Sequence, residues 1–347
     1  MTSLGTVPAD AGAFAAIARE YAALRRGAVV FDRGDRSRGT FTGAQARETL
    51  TGLVTNDVQA LVPGAGQYAA ALTPKGKVIA DLRIFARSED LVVDVTARAA
   101  PGWWGVVKKY VNPRVTRYAD VSPDTGSLGV YGVRARELLA AACERPAAEL
   151  AALDMYAHVT LPLADGDAHS GFVARVPELG LEGYDLVLPA AAVAEWKDRL
   201  CSLGAVSGSP ATWTLARIEA GRPEWGVDMD DNTLAQEANL ETLNAISFTK
   251  GCYTGQETVA RIHFRGHVNR CLRGLVCDPD HIPPPGARLV DVQGRDVGDV
   301  RSSARSPRLG GVALGMVRHE AEPDASLNAI WDAGSTPVVV RELPFPL

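Results

Sequence analysis

The feature that most constrains the fold is a change in the sequence pattern near residue 274. Before that point, stretches with helical spacing alternate irregularly with short apolar strands, which is typical of α+β structure. After it, short alternating segments are separated by turns rich in Pro and Gly, which is typical of a small β-barrel. We therefore expect a mixed α+β region over residues 1–270 and a C-terminal β-barrel over residues 271–347. A chain of 347 residues is too long for one compact core, so its length agrees with this division.

Hydrophobic periodicity also predicts individual elements. Helices are predicted over residues 13–26, 42–53, 102–110, 134–142, 190–204 and 212–220. Strands are predicted over residues 27–31, 67–72, 78–85, 91–96, 171–176 and 184–188, and in the barrel over 274–276, 288–290, 297–302, 311–317 and 337–343. This order is too irregular for a doubly wound sheet, which favours the α+β class.

The balance of charges and the pattern of cysteines indicate where the protein is located and which partners it can bind. The chain has 36 Lys and Arg against 41 Asp and Glu, which argues against non-specific nucleic-acid binding by the whole molecule. No apolar run reaches the roughly 18 residues that a membrane helix needs, and residues 1–10 lack the Lys or Arg of an export signal. We therefore expect a cytoplasmic protein without membrane contact. Its five cysteines include no Cys-x-x-Cys pair, so they indicate reduced thiols and not a disulfide framework or a zinc ribbon.

The local sequence around Cys252 predicts a reactive thiol. Thr254-Gly-Gln-Glu257 has the form of a capping box, and residues 258–262 continue as a helix. Cys252 would then lie just before a helix N-terminus, whose positive end favours thiolate, and Lys250 adds a second cation. The alternative is a buried cysteine that acts as a small apolar residue.

The run Lys-Gly-Cys-Tyr-Thr-Gly-Gln-Glu over residues 250–257 resembles the signature of the YgfZ-type folate-binding proteins, a branch of the glycine-cleavage T-protein superfamily. Residues 53–57, 73–81 and 215–223 resemble further segments of that family. The resemblance implies a three-lobed ring: two mixed α/β lobes around a central folate site, with a β-barrel as the last lobe. The β-rich pattern after residue 274 agrees with it independently.

The resemblance implies a pterin contact at Asp185. T-protein relatives hold the pterin with a carboxylate after a Gly-Glu-x-Gly turn, and Asp185 falls at that position in residues 180–185. One carboxylate can accept the pterin's ring N–H and exocyclic amine in parallel. Here Asp replaces the usual Glu, and Leu181 replaces the Glu of the turn. The neighbouring Tyr184 is a further candidate contact, and the alternative for Asp185 is a strand-edge residue that faces water.

A second acid is implied at Asp81. The family has a Gly-Gly-x-x-Asp-Asp run near the reactive nitrogen of the folate, and residues 76–81 retain only the second acid. Asp81 lies in an otherwise apolar strand, so it should have a partner or line a cavity. Ala80 stands where the first acid would be, and this loss argues against aminomethyl transfer.

Three more residues are implied as folate neighbours. Arg217 lies at the position of a family arginine, and Trp225 matches a family aromatic that could stack on a flat ligand. Tyr68 is a candidate for the wall of the same cavity. The alternatives are an exposed helix charge for Arg217 and core packing for Tyr68.

Weaker signals argue against metal sites. His263 and His267 have helical spacing but lack the Glu of a zincin motif, so we expect no metal there. Cys271 and Cys277 lack the spacing of an iron–sulfur ligand set, so a resident cluster is not expected. Residues 261–273 are locally basic, which indicates either a solvated face or contact with an anionic partner such as tRNA or the folate tail.

Three functions stay open from the sequence. The resemblance implies an accessory protein of iron–sulfur cluster assembly or repair that binds tetrahydrofolate or a one-carbon derivative, with Cys252 as its reactive thiol and iron–sulfur proteins as clients. The first alternative is a folate-dependent aminomethyltransferase or methyltransferase. The second is a binding module with an inert cysteine. The run at residues 250–257 favours the accessory role, since the glycine-cleavage transferase needs no such thiol.

Overall fold

The computed structural model describes residues 11–161 and 171–346. Elements are numbered in chain order within these residues. The α-helices are α1 Ala11–Arg26, α2 Ala46–Leu53, α3 Ala100–Tyr110, α4 Ala135–Cys143, α5 Ala147–Ala151, α6 Val193–Ser202, α7 Pro210–Glu219 and α8 Gln256–Arg265. The strands are β1 Val29–Asp32, β2 Arg36–Thr42, β3 Gly66–Leu72, β4 Val78–Ala86, β5 Leu91–Thr96, β6 Arg117–Asp120, β7 Thr125–Tyr131, β8 His158–Thr160, β9 Phe172–Arg175, β10 Gly183–Pro189, β11 Val206–Ser207, β12 Arg270–Cys277, β13 Arg288–Val290, β14 Asp296–Ser306, β15 Gly310–Arg318, β16 Ser326–Trp331 and β17 Gly334–Arg341.

The first lobe is an antiparallel five-stranded sheet in the order β3-β4-β5-β2-β6. Side chains alternate across β4, as they must in a strand. Ala80, Leu82 and Ile84 pack with α2 and α3 in one apolar core. Asp81 and Arg83 are buried on the opposite face. Because both faces of this sheet are covered, the charged side chains of Asp81 and Arg83 lie in the interior of the protein.

The second lobe is a six-stranded sheet in the order β11-β1-β7-β10-β9-β8. It is antiparallel apart from the β1–β11 pair. In β10, Tyr184 and Leu186 pack with α4 and α6. Asp185 is buried on the other face, next to Val187, whose core also contains Tyr68 of the first sheet. The two sheets therefore share one apolar core, with helices on their outer sides.

The third lobe is a closed barrel in the strand order β12-β15-β14-β13-β16-β17. Leu275, Leu289 and Val338 belong to its interior core. A separate apolar core joins the outer side of the barrel to α1 and α7, for example through Leu215 and Leu314. The expected α+β class, with mixed lobes followed by a β-barrel, is confirmed. In the described part of the chain, every helix is too short or too polar to cross a membrane.

Candidate functional site

Charged and phenolic side chains form a buried group where the two sheets face each other. They come from β3, β4, β7 and β10 and from the segments before β8, before β10 and after α7. We call this group the central cluster; it consists of Tyr68, Asp81, Arg83, Tyr131, Tyr156, Glu178, Asp185 and Arg222. Charges this deep must be paired or must serve a ligand, because burying an isolated charge is very unfavourable.

At one end of the central cluster, Asp185 is fully engaged. Its Oδ2 accepts from Arg83 Nη1 at 2.7 Å, and its Oδ1 accepts from the hydroxyl of Tyr131 at 2.9 Å. Arg83 also donates through Nη2 to Asp94 at 2.8 Å. Asp185 is only 1% exposed, so the predicted residue is a buried ion-pair partner and not a strand-edge acid in water.

At the other end, Asp81 has an unused acceptor. The hydroxyl of Tyr68 donates to Asp81 Oδ2 at 2.8 Å. Asp81 Oδ1 is buried and accepts no hydrogen bond within residues 11–161 and 171–346. Burial raises the pKa of the Asp81 carboxyl above its ordinary value. The expectation that this acid has a partner is confirmed, and one of its oxygens is left for a donor.

Arg222 and Tyr156 complete the wall around Tyr68. The Arg222 guanidinium lies over the Tyr68 ring, 5.0 Å from its centroid, and its Nη2 donates to the Tyr156 hydroxyl at 3.0 Å. The two tyrosine rings are nearly parallel, with centroids 6.1 Å apart. The cation and the rings thus hold one another in fixed orientations.

Glu178 connects the two ends. Its carboxylate lies 3.6 Å from Arg83 and 3.7 Å from Arg222. Burial alone would raise the pKa of Glu178, but the surrounding guanidiniums, above all those of Arg222 and Arg83, outweigh it and hold the pKa below its ordinary value. The carboxylate is therefore ionised at neutral pH.

Tyr184 and Arg217 do not join the central cluster. Tyr184 faces the helix side of its sheet, where its hydroxyl donates to Glu182 at 2.9 Å, because alternate residues of β10 point to opposite faces. Arg217 donates through Nη1 to Asp228 at 2.6 Å and pairs through Nε with Glu224 at 3.0 Å. It is buried, so the alternative of an exposed helix charge is wrong.

Trp225 packs against the apolar cores on both faces of the first sheet. Its Nε1 donates to the carbonyl of Val78 at 3.4 Å. The indole is half-buried and lies beside the start of β4. Its contacts in the structure are therefore those of a packing residue.

The sequence did not indicate Arg83, Tyr156, Glu178 or Arg222 as site residues. Arg83 was detectable, because a charge two residues after Asp81 in an apolar strand must share its face. Tyr156, Glu178 and Arg222 belong to irregular segments, where no periodicity gives a side chain's direction. Tyr131 was missed as well, because its strand β7 was not predicted.

Cys252 lies in an exposed loop four residues before α8. The predicted capping box is wrong: the N-cap of α8 is Gly255, at φ +87°, without a side-chain cap. The amide of Thr254 donates instead to the carbonyl of Gly52 at 3.3 Å. The thiol therefore precedes a helix N-terminus, as expected, but with a different cap.

A close backbone contact fixes this loop against the β3–β4 turn. A Cβ on Gly255 would stand 2.6 Å from the carbonyl oxygen of Thr73, and one on Gly76 would stand 3.0 Å from Thr258. Both glycines have positive φ. Gly255 and Gly76 are therefore needed where the loop and the hairpin approach each other.

Lys250 anchors the same loop to α2. Its ammonium donates to the carbonyl of Thr51 and, at 2.6 Å, to that of Val54, and it lies 4.7 Å from the ring centroid of Tyr253. Burial lowers the pKa of this amine to about 8. The last carbonyls of a helix have no intrahelical partner, so this cation acts as a C-terminal cap.

The other cysteines are more enclosed than Cys252. Burial raises the pKa of Cys143 to about 11 and that of Cys277 to about 12, and it also raises the pKa of Cys271. Cys201 is half-buried. The thiolate is the nucleophile, so burial disfavours reaction at Cys143, Cys271 and Cys277, whereas the thiol of Cys252 is exposed.

The basic segment after Cys252 is partly neutralised. His263 pairs with Glu241 at 2.7 Å, and Arg270 pairs with Glu237 at 3.0 Å. Helix α8 ends before Gly266, so His263 and His267 do not share one helix. Among the described residues, no group of three or more His, Cys, Asp or Glu side chains could hold a metal ion.

Comparison with known families covers almost the whole chain. A model of the GCVT N-terminal domain matches residues 7–250. A model of the glycine cleavage T-protein C-terminal barrel domain matches residues 270–345.

Individual relatives fall into two named groups. An aminomethyltransferase of Saccharopolyspora erythraea is 30% identical, over 94% of this chain and 89% of its own. A tRNA-modifying protein YgfZ of Yersinia enterocolitica is 32% identical, over 72% of this chain and 71% of its own. The crystal structure of the glycine cleavage system aminomethyltransferase T from Bartonella henselae has the same fold, with a TM-score of 0.84 at 22% identity, covering 95% of this chain and 89% of that one.

Proposed function

This chain belongs to the glycine cleavage T-protein family, and on that premise we propose that it is a tetrahydrofolate-binding accessory protein of iron–sulfur cluster assembly or repair. In this proposal Cys252 is the reactive thiol and tetrahydrofolate, or a one-carbon derivative, occupies the central cluster. Iron–sulfur proteins are the clients.

One observation carries the folate part. Tyr68 and Asp81 lie on adjacent strands of the first sheet and Asp185 lies in the second sheet, and each was a candidate folate residue in the sequence. All three lie in the central cluster, where Asp81 Oδ1 is buried and receives no hydrogen bond from the part of the chain that the structure describes. An orphaned buried acceptor is costly unless a ligand or a proton satisfies it, so the residues present fit a ligand that donates hydrogen bonds. When bound, tetrahydrofolate would supply the carrier of a one-carbon unit.

The thiol part rests on the exposure of Cys252 and on the way its loop is held. Lys250 fixes the loop to α2, and Gly255 fixes it to the β3–β4 turn. A loop held at both ends presents the thiol at a constant position, which favours reaction with a partner that docks in one orientation.

Loss of the thiol tests this part in cells. We expect a Cys252→Ala strain to lose iron–sulfur enzyme activity as fully as a strain without the protein, while a Cys201→Ala strain stays at the wild-type level. Full activity in the Cys252→Ala strain would contradict the proposal.

A second candidate, folate-dependent aminomethyl or methyl transfer, is favoured by the placement of Ala80. It packs in the core on the helix side of the first sheet, whereas Asp81 faces the central cluster. The acid that faces the site is therefore retained, which weakens the argument against transfer. An aminomethyl-transfer assay separates the functions: turnover that survives Cys252→Ala and disappears in Asp81→Asn would indicate a transferase.

A tRNA partner is a further proposal. The YgfZ relatives are named as tRNA-modifying proteins, and Arg261 and Arg265 are exposed on α8 of this chain. Salt-sensitive tRNA binding that is lost in an Arg261→Ala/Arg265→Ala variant would support such a contact, and unchanged binding would exclude this surface.

A further inference from the structure

The carboxylates of Asp185 and Glu178 both lie near Arg83, but they differ in how many hydrogen bonds they can still accept. Asp185 gives one oxygen to Arg83 and the other to Tyr131. Its surroundings are closed as well, since a Cβ on Gly129 would stand 3.1 Å from Asp185 Oδ1 and 2.7 Å from the Tyr131 ring. A flat ligand could reach Asp185 only by displacing Tyr131 or by breaking a buried ion pair, which is strongly unfavourable.

Glu178 has the opposite properties. Its side chain is 18% exposed, whereas that of Asp185 is 1% exposed. Its ion pairs with Arg83 and Arg222, at 3.6 and 3.7 Å, are longer than hydrogen bonds, and within the described residues it accepts no shorter contact. Both carboxylate oxygens are therefore available to donors from a ligand.

The fold holds Glu178 at this position. The residue precedes a turn in which Gly180 has φ +65°, and a Cβ there would stand 3.3 Å from the Cβ of Ala220. Leu179 is buried in the core that both sheets share. The turn is thus packed against the segment that carries Arg222, so the carboxylate and its two guanidiniums form a preorganised unit.

An ionised carboxylate flanked by cations accepts best from a planar pair of adjacent N–H donors, the geometry that a carboxylate uses in bidentate pairs. A pterin offers such a pair in its ring N–H and its exocyclic amine.

We propose that Glu178, and not Asp185, is the carboxylate that accepts hydrogen bonds from the donor edge of the bound pterin. This inference rests on the proposed folate binding. In this arrangement Asp185 does not contact the pterin. It fixes the position of Arg83 through their 2.7 Å contact.

The test compares two ligands on three proteins by anaerobic titration calorimetry. The ligands are tetrahydrofolate and its 2-desamino analogue, which lacks the exocyclic amine. The proteins are the wild type, Glu178→Gln and the control Glu182→Gln, which changes a carboxylate in the same turn that contacts Tyr184 instead. Glu178→Asp is added because it keeps the charge between the arginines, and melting temperatures check folding.

We expect the wild type to bind the desamino analogue roughly 10- to 100-fold more weakly than tetrahydrofolate, since one hydrogen bond to a charged group is lost. In Glu178→Gln, tetrahydrofolate should bind more weakly by a similar factor, and the difference between the ligands should largely disappear. Glu178→Asp should lie between the two, and Glu182→Gln should behave as the wild type.

Two results would overturn the inference in distinguishable ways. If the wild type binds tetrahydrofolate and Glu178→Gln keeps the full difference between the ligands, the pterin edge meets another group and Glu178 is not its acceptor. If the wild type binds neither ligand, the folate function itself fails, and the inference fails with it.

Discussion

At the residue scale, the central cluster joins acids and arginines from distant parts of the chain. Asp81 could be singled out because a carboxylate in an apolar strand requires a partner. Asp185 followed from the resemblance. Glu178 and Arg222 could not be placed, because their direction depends on a turn and a helix end that pack together only in the folded chain. The pairing of Asp185 with Arg83 likewise joins residues 102 positions apart.

His158 leads to a prediction about pH. It is buried between the rings of Phe85 and Phe172, and burial, together with the charge of Arg87, lowers its pKa to about 4 from an ordinary 6.5. Between these values the unfolded chain binds the proton and the folded chain does not, so stability falls as the pH drops from 6.5 to 4. This difference between the two pKa values corresponds to about 3 kcal/mol.

Urea unfolding of His158→Gln measures this contribution. The variant should lose the part of the acid destabilisation that lies between pH 6.5 and 4, while His281→Gln, at an exposed site, should keep it. Burial alone would raise the pKa of Asp35, but Arg33 outweighs it and lowers this pKa to about 2, so the carboxylate titrates below the range from pH 6.5 to 4. If the two histidine variants respond to pH identically, His158 is not the source.

At the element scale, regular patterns were predicted well and charged or glycine-rich strands were missed. The β3–β4 hairpin and β13 lie where the alternation placed them. Strand β2 was missed because it contains three arginines or glycines among seven residues; its Arg36 and Arg38 are stabilised by the buried Asp94. Strand β7 contains two glycines, and at Gly129 a Cβ would collide with Tyr131. Tertiary contacts override local propensity in both strands.

The loop that carries Cys252 permits a matched pair of glycine substitutions. Gly255→Ala forces a side chain into positive φ, 2.6 Å from a carbonyl oxygen, and should cost about 1–3 kcal/mol of unfolding free energy. Gly251→Ala adds a methyl group at a point where no atom of the described residues lies within 4 Å, and should change stability by less than about 0.5 kcal/mol. Denaturant titration measures both, and equal costs would show that the loop does not depend on its contact with the hairpin.

At the scale of the whole molecule, two kinds of contact attach the barrel to the other lobes. One is the apolar core that its outer side shares with α1 and α7, and the other is a set of buried hydrogen bonds. The hydroxyl of Ser302 on β14 donates to Asp228 at 2.6 Å, and Asp228 also accepts from Arg217. The hydroxyl of Ser306 donates to Glu219 at 2.6 Å. The sequence predicted the barrel, but it could not predict this attachment, because serines in a strand give no signal of a distant carboxylate. Arg217, which the family resemblance implied as a folate neighbour, is part of this contact between the barrel and the lobes.

Substitutions of Ser302 and Ser303 test this contact between the barrel and the lobes, because the two residues are adjacent and both fully buried. Ser302→Ala removes a donor from the buried carboxylate of Asp228 and should cost about 1–3 kcal/mol. The Ser303 hydroxyl has no hydrogen-bond partner in the described residues, so Ser303→Ala should be neutral or slightly stabilising. Hydrogen exchange should show faster exchange in β14 and α7 for Ser302→Ala alone. Equal effects of the two substitutions would mean that the apolar core shared with α1 and α7 is sufficient to hold the barrel in place.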